Sequence, residues 1–341
     1  MVFLVGESPA WAAVTPLGAM PDSHPRVAWF DRYAEARQGP ETVDRISQTF
    51  TVGAESSLDL TGVSGDVRVT GGPGTEVRVD ATKRVRHRDS EEAKRLLRDL
   101  RVEMTNINGR VEVRTVYPRR QGGYDRGISA SVDYVVTVPG GTAVAVRTIS
   151  GNVVVASVKG EVRIEAISGD VSVTGATNLA LAKTVSGDVT VRDISGATTL
   201  TLATVSGSVI ATGLKARSVE CGSVSGDVHI SGVQAERVDA KSVSGNIEFD
   251  GTLSRGGRYE FTSHSGDVRL VLPSGSGFEL DANTFGGSIR SDLPVTLRAE
   301  GGGGQDRRHN SSSRTIRGSY GDGGAVLSVR SFSGSVIIVK K

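Results

Sequence analysis

Residues 148–174 read TISGNVVVASVKGEVRIEAISGDVSVT, and the organisation of the whole chain follows from them. The phrase Ser150-Gly151-Asn152-Val153 returns as Ser168-Gly169-Asp170-Val171. It recurs as Ser186-Gly187-Asp188-Val189, Ser206-Gly207-Ser208-Val209, Ser225-Gly226-Asp227-Val228, Ser244-Gly245-Asn246-Ile247 and Ser265-Gly266-Asp267-Val268. An earlier copy is Ser64-Gly65-Asp66-Val67, and altered copies are Gly286-Gly287-Ser288-Ile289 and Ser333-Gly334-Ser335-Val336. From Gly151 to Gly287 the successive spacings are 18, 18, 20, 19, 19, 21 and 21 residues. A period near 20 belongs to solenoid architectures, in which each repeat buries its apolar face only against its neighbours.

Alignment on the glycine gives columns. Two residues after it stand Val153, Val171, Val189, Val209, Val228, Ile247, Val268 and Ile289. Four after it stand Val155, Val173, Val191, Ala211, Ile230, Phe249 and Leu270. The residues between are mixed to polar, which is the period-2 signature of a half-buried strand. A second strand precedes the phrase, with apolar pairs such as Val144/Val146, Val162/Ile164, Ala180/Ala182 and Leu200/Leu202. Ile149, Ile167, Val185, Val205, Val224 and Val243, two residues before the glycine, read as a further inward column, joined by His264, Phe285 and Phe332. The expected fold is therefore all-β: a single-chain, β-helix-like β-solenoid of about 20-residue coils. About ten coils at ~4.8 Å would make a rod on the order of 50 Å long.

Gly151, Gly169, Gly187, Gly207, Gly226, Gly245 and Gly266 read as structural turn residues, because a tight corner needs positive φ. The Ser before and the Asp or Asn after each glycine read as caps of the same turn. The Asp column is diluted by Asn152, Ser208, Asn246, Ser288 and Ser335, so turn capping is expected there rather than metal binding.

Two breaks interrupt the rhythm. Asp89 to Met104 reads as one inserted α-helix, about 89–104, capped by Asp89 or Ser90 and striped by Leu96, Leu97 and Leu100. Lys83, Arg84, Arg86, Arg88, Lys94, Arg95, Arg98 and Arg101 make this the most basic stretch, followed by Arg119, Arg120 and Arg126. Arg95, Arg98 and Arg101 are candidate contacts for an anionic partner. Residues 42–140 read as an N-terminal coil and cap, 141–300 as the regular array, 301–324 as a Gly-rich flexible insert and 325–341 as the final coil. Residues 1–12 resemble a truncated signal peptide, with the small-x-small form Ala10-Trp11-Ala12, and 13–41 read as a linker.

Composition narrows the function. The chain has 341 residues, 40 Lys+Arg against 38 Asp+Glu, and one cysteine. The near balance argues against nucleic acid, and a lone Cys221 excludes an intramolecular disulfide or a Cys-based zinc cluster. No run is long and apolar enough for a transmembrane helix. The five histidines form no metal-ligand pair, and no cofactor motif is present, so no cofactor is expected. Glu220, Asp239 and Glu260, with Asp281 next, share one outward column, which keeps a polysaccharide lyase or hydrolase open as an alternative. The outward row His229, Glu248, Arg269 and Arg290 is the candidate contact row for binding.

The repeats ISGDVSV, VSGDVTV, VSGDVHI and VSGNIEF, with the blocks RISQTFTVGAESSLDLTGVSGDVRV and TIRGSYGDGGAVLSVRSFSGSVII, resemble a bacterial family. It is the adhesin-like β-strand-repeat domain of unknown function. The resemblance covers roughly residues 42–341 and implies a β-solenoid on the outer side of the cytoplasmic membrane. It implies no catalytic residue. The expectation is a non-enzymatic, extracytoplasmic binding or scaffolding module, periplasmic, secreted or at the cell surface. Its partner would be a polysaccharide, another cell-envelope component or an envelope protein, with homo-assembly through end coils as a further option. An envelope-stress or signalling interaction domain is the other alternative.

Overall fold

A computed structural model describes residues 40–53, 55–117, 129–298 and 314–341. The possible signal peptide, most of the linker, Arg119, Arg120, Arg126 and most of the Gly-rich insert lie outside the described residues. Two long sheets form the body, one of 13 strands and one of 14. Each coil gives one strand to each sheet. Val153–Ala156 pairs in parallel with Val171–Thr174, which pairs with Val189–Arg192, and so on along the stack. The other sheet runs Ala143–Ser150, Glu161–Ser168, Asn178–Lys183, Ser195–Ser206 and Lys215–Ser225 in the same order. The chain is thus an all-β solenoid with one helix among the described residues.

The columns at two and four residues after the glycine point inward and are fully buried in the regular coils. One apolar core runs the length of the stack. Each buried Val or Leu contributes about 1.5–3 kcal/mol. Wider side chains fill the core near its C-terminal end, where Phe249 lies 6.0 Å from Tyr259 and 5.3 Å from Phe261, ring centre to ring centre. The Tyr259 hydroxyl donates to the Ala235 carbonyl at 2.7 Å and accepts from Ser254 N at 2.7 Å, so the buried phenol is satisfied.

A bulge lies in the coil between Gly169 and Gly187. The register between Glu161–Ser168 and Asn178–Lys183 shifts after Val162/Leu179. Leu179, rather than Ala180, therefore fills the inward position with Ala182.

The inserted helix is shorter than its sequence pattern. It runs Ser90–Asp99, with Asp89 accepting from Glu91 N and Glu92 N, and Arg101–Ile107 is already a strand. Residues 101–104 alternate exposed and half-buried, a period-2 pattern that the antiparallel partner Arg110–Val116 completes. Leu96, Leu97 and Ala93 pack on Val85 of the strand Glu76–Arg86.

Chain order and spatial order differ at both ends. Ser57–Thr61 lies between Arg110–Val116 and Ala143–Ser150, so a later segment stacks outside an earlier one. At the other end Ala325–Ser331 inserts between Arg258–Ser263 and Phe278–Thr284. Val336–Lys340 likewise inserts between Val268–Leu272 and Ile289–Ser291. The segment 325–341 is last in sequence but penultimate in the stack. Part of the insert read as flexible, Arg314–Tyr320, is a strand antiparallel to Phe278–Thr284.

Candidate functional site

The corner carries three ladders. The first is glycine against glycine. A Cβ on Gly169, Gly187, Gly207, Gly226, Gly245 or Gly266 would lie closer than 3.0 Å to the preceding corner's glycine carbonyl oxygen. Gly151, Gly169, Gly187, Gly207 and Gly226 also have positive φ, from 124° to 151°. Gly245 and Gly266 do not fall in that region, so close backbone approach alone demands glycine there.

The second ladder corrects the expectation of turns capped by their own side chains. Asp188 N donates to Asp170 Oδ1 at 2.9 Å, and Ser208 N donates to Asp188 Oδ1 at 2.7 Å. Asn246 N, Asp267 N and Ser335 N bond in the same way to Asp227, Asn246 and Asp267. Each side chain therefore caps the neighbouring coil, not its own.

The third ladder is buried and hydroxylic. Three residues before each corner glycine, Thr184 donates to Gly169 O at 3.0 Å, Thr204 to Gly187 O at 2.8 Å and Ser223 to Gly207 O at 2.8 Å. Ser242, Ser263 and Ser331 repeat the bond. These hydroxyls occupy the inward position that the sequence assigned to the next residue. Strand alternation continues to the corner, so Ile149, Ile167, Val185, Val205, Val224 and Val243 point outward. They are 44–51% exposed, and Phe285 and Phe332 are exposed with them. The large side chains of Phe285 and Phe332 do not close the core end. Phe332 instead stacks on His264 at 4.9 Å and on Phe285 at 5.1 Å, with the rings nearly parallel. The result is a mostly apolar ridge on the outside of the corner, with His264 within it.

The expected contact row is only partly assembled. His229, Glu248 and Arg269 stand on neighbouring strands in register. His229 Nδ1 lies 3.1 Å from Glu248 Oε2, and Arg269 Nε lies 3.6 Å from Glu248 Oε1. Arg290 is not next in the row, because Ile337 of the inserted strand separates it from Arg269. The same insertion puts Ser328 between Glu260 and Asp281. Glu220, Asp239 and Glu260 remain adjacent. Asp239 Oδ2 accepts from Lys241 Nζ at 2.6 Å, which holds that ammonium above its usual range, and Arg330 lies 3.6 Å from Glu260.

Arg95 and Arg98 are exposed one turn apart on the helix, and Arg101 is exposed at the head of the next strand. Lys83 leaves the basic patch entirely: it is 7% exposed and its Nζ donates to Leu97 O at 3.2 Å and Leu100 O at 3.4 Å. Arg84 lies 2.9 Å from Asp133, and Arg86 lies 3.4 Å from Glu41.

The concavities on this surface are shallow. One open cleft among the described residues holds about 370 Å³ and is lined by Asp66, Arg68, Arg84, Asp133 and Tyr134 among others. Among the described residues no cluster of three His, Cys, Asp or Glu side chains is arranged to hold a metal ion. Cys221 is a core residue whose thiol is pushed up to about 12 by burial, with Asp239 and Glu220 adding to the effect.

Sequence columns also missed the far corner. Ser157, Gly175, Asp193, Gly213 and Gly232 all take positive φ, and each is followed by a buried residue: Val158, Ala176, Ile194, Leu214 or Val233. That apolar residue recurs seven positions after Gly151, Gly169, Gly187, Gly207 and Gly226, a signal present in the sequence.

These features define a β-solenoid of stacked coils with ladder-bonded corners. The chain belongs to the Toastrack DUF4097 family, whose sequence model matches residues 122–338. No curated protein matches it. Among solved structures it is similar to a "putative adhesin" from Parabacteroides distasonis ATCC 8503, with 14% identity and a TM-score of 0.49. A "putative lipid binding protein" from the same strain gives 11% identity and a TM-score of 0.43. A "putative adhesin" from Bacteroides fragilis NCTC 9343 gives 10% and 0.41. Each likeness covers 87% of this chain and 97% of the other. Among the described residues no helix is long and apolar enough to cross a membrane.

Proposed function

We propose that this chain is a non-catalytic, extracytoplasmic binding or scaffolding module of adhesin-like type. The supporting observation is the in-register stacking of its coils. Glycine, Asp/Asn side-chain and hydroxyl ladders lock neighbouring coils at the corner, so outward side chains stand in fixed rows at ~4.8 Å. A rod of this kind suits an extended, repetitive partner such as a cell-envelope polysaccharide, or a long protein surface. The row His229, Glu248 and Arg269 and the exposed Arg95, Arg98 and Arg101 are the contacts offered.

The test is co-sedimentation of the purified full chain with insoluble cell-wall and exopolysaccharide fractions. Depletion from the supernatant, reversed by soluble glycan, supports the reading. Full recovery in the supernatant at low salt removes the glycan partner and leaves an envelope protein, to be sought by crosslinking. Arg95→Ala, Arg98→Ala and Arg101→Ala together weaken a salt-sensitive contact if the basic patch is used. Loss of a polysaccharide-cleaving activity on replacing Glu220, Asp239 and Glu260 would overturn the non-catalytic reading.

A further inference from the structure

The cleft of about 370 Å³ lies where the antiparallel cap strands meet the first coils. Six of its lining residues form two rows on the outer face of the 13-stranded sheet. In one row Arg68 stands between Val135 and Val154, its cross-strand neighbours. In the other, two residues earlier on each segment, Asp66 stands between Asp133 and Asn152. At ~4.8 Å between strands and ~6.7 Å along them, the two rows frame a patch of roughly 10 by 7 Å. Val135 is exposed and Val154 half-buried, so the Arg68 row has apolar surface on both sides of the guanidinium.

The polar row is held from within the chain. Asp133 Oδ1 accepts from Asp66 N at 3.0 Å and its Oδ2 lies 2.9 Å from Arg84 Nε, so both oxygens are committed. Asp66 Oδ1 accepts from Asn152 N at 2.9 Å, and Asn152 Oδ1 accepts from Asp170 N at 2.9 Å. Each of these two side chains is thus fixed by one atom, with Asp66 Oδ2 left as an open acceptor and Asn152 Nδ2 as an open donor. Arg68 makes no ion pair or hydrogen bond among the described residues. The arginines of two further clefts differ, since Arg110 and Arg163 pair with Asp59 and Glu161, and Arg86 with Glu41.

We propose that this cleft is a subsite for a glycan that carries carboxylates, of the uronic-acid class; the proposal rests on the glycan reading above and narrows it. An unpaired guanidinium matches a carboxylate through two parallel hydrogen bonds. Ring hydroxyls both donate and accept, which suits Asp66 Oδ2 and Asn152 Nδ2 side by side. The C–H face of the ring lies on Val135 and Val154. An acidic peptide brings the carboxylate without hydroxyls for Asp66, whose charge then opposes it. Polar groups already fixed by the ladder lose little freedom on binding.

Isothermal titration calorimetry of the full chain with trigalacturonate, maltotriose and triglutamate tests the site. Trigalacturonate should bind, and Arg68→Gln should weaken it at least about tenfold, the effect of losing a charged hydrogen-bonded pair. Asp66→Asn is the sharper variant. It keeps the oxygen that caps Asn152 N, as Asn152 itself does for Asp170, and removes only the open acceptor. Its melting temperature should match the parent's while trigalacturonate binding falls several-fold. Tighter binding by Asp66→Asn would reveal an anion site without sugar recognition and overturn the proposal. Unchanged affinity in Arg68→Gln, or equal affinity for triglutamate or maltotriose, overturns it too, as does an absence of heat with trigalacturonate at about 1 mM. Co-sedimentation separates the subsite from the broader reading. Cell-wall fractions that deplete the parent and Arg68→Gln alike sink the subsite and leave glycan binding standing. Fractions that deplete neither, with no heat from trigalacturonate, remove both.

Discussion

Lys83 and Asp44 face each other directly across the antiparallel pair of Glu76–Arg86 and Glu41–Thr51, with Nζ 2.7 Å from Oδ2. The same ammonium donates to the carbonyls of Leu97 and Leu100, which end the helix. One buried cation therefore joins the outermost strand to the helix C-terminus, where the helix dipole favours positive charge. Lys83→Met should destabilise the N-terminal cap by about 1–3 kcal/mol, since it leaves carbonyls unpaired and a half-exposed carboxylate unmatched. Hydrogen exchange should quicken over residues 90–99 before it changes in the regular coils. Uniform exchange in variant and parent would contradict this role.

Gly187 tests the corner. Its φ is 137° and a Cβ would collide with the Gly169 carbonyl. Gly187→Ala should cost about 2–4 kcal/mol, combining backbone strain with a clash that the stacked coils cannot relieve. Gly141 has open space around it and is outside the positive-φ region, so Gly141→Ala should be neutral or stabilising by up to ~1 kcal/mol. Equal melting temperatures for the two variants would remove the close-approach argument.

The hydroxyl ladder gives opposite expectations for one substitution at two sites. Thr204 donates to Gly187 O, so Thr204→Val should cost about 1 kcal/mol. The Thr148 hydroxyl is buried without a partner among the described residues. Thr148→Val should therefore stabilise, by up to ~1 kcal/mol. Chemical denaturation of both variants separates hydrogen bonding from packing, because the change in shape is the same.

Cys221 makes stability fall in alkali. Burial raises its folded thiol to about 12 from an ordinary 9.0, so the unfolded state loses its proton first. The stabilising difference is complete below about pH 9 and is lost as pH rises towards 12. Tyr134, also raised to about 12 by burial, adds the same trend above pH 10. Melting temperature should drop from pH 8 to pH 10.5 more steeply in the parent than in Cys221→Ala. Identical slopes would mean that the thiol is not the group responsible.

The period, the two strands per coil and the inward columns at Val153 and Val155 were all legible in the sequence, because a buried strand face must repeat in register. The Ile149 column was not. Apolarity suggested burial, yet pleating puts Thr204 inside and Val205, of the same column, outside, and a hydroxyl can be buried when a neighbouring carbonyl accepts from it. Leu179 was hidden by a bulge, which shifts register without altering composition. The break in the row beyond Arg269 was hidden more deeply, since nothing local in Val336–Lys340 says that it enters between two earlier strands. Arg101 looked helical from its neighbours, but the pairing of Arg101–Ile107 with Arg110–Val116 decided otherwise.

The inserted strands also set an order of events in time. Phe278–Thr284 and Ile289–Ser291 take their parallel partners from Ala325–Ser331 and Val336–Lys340, which a ribosome or a translocation channel delivers later. Until then Arg258–Ser263 and Val268–Leu272 present open edges. The C-terminal segment works as a latch, and a chain emerging end-first cannot be completed coil by coil in the order in which it is made.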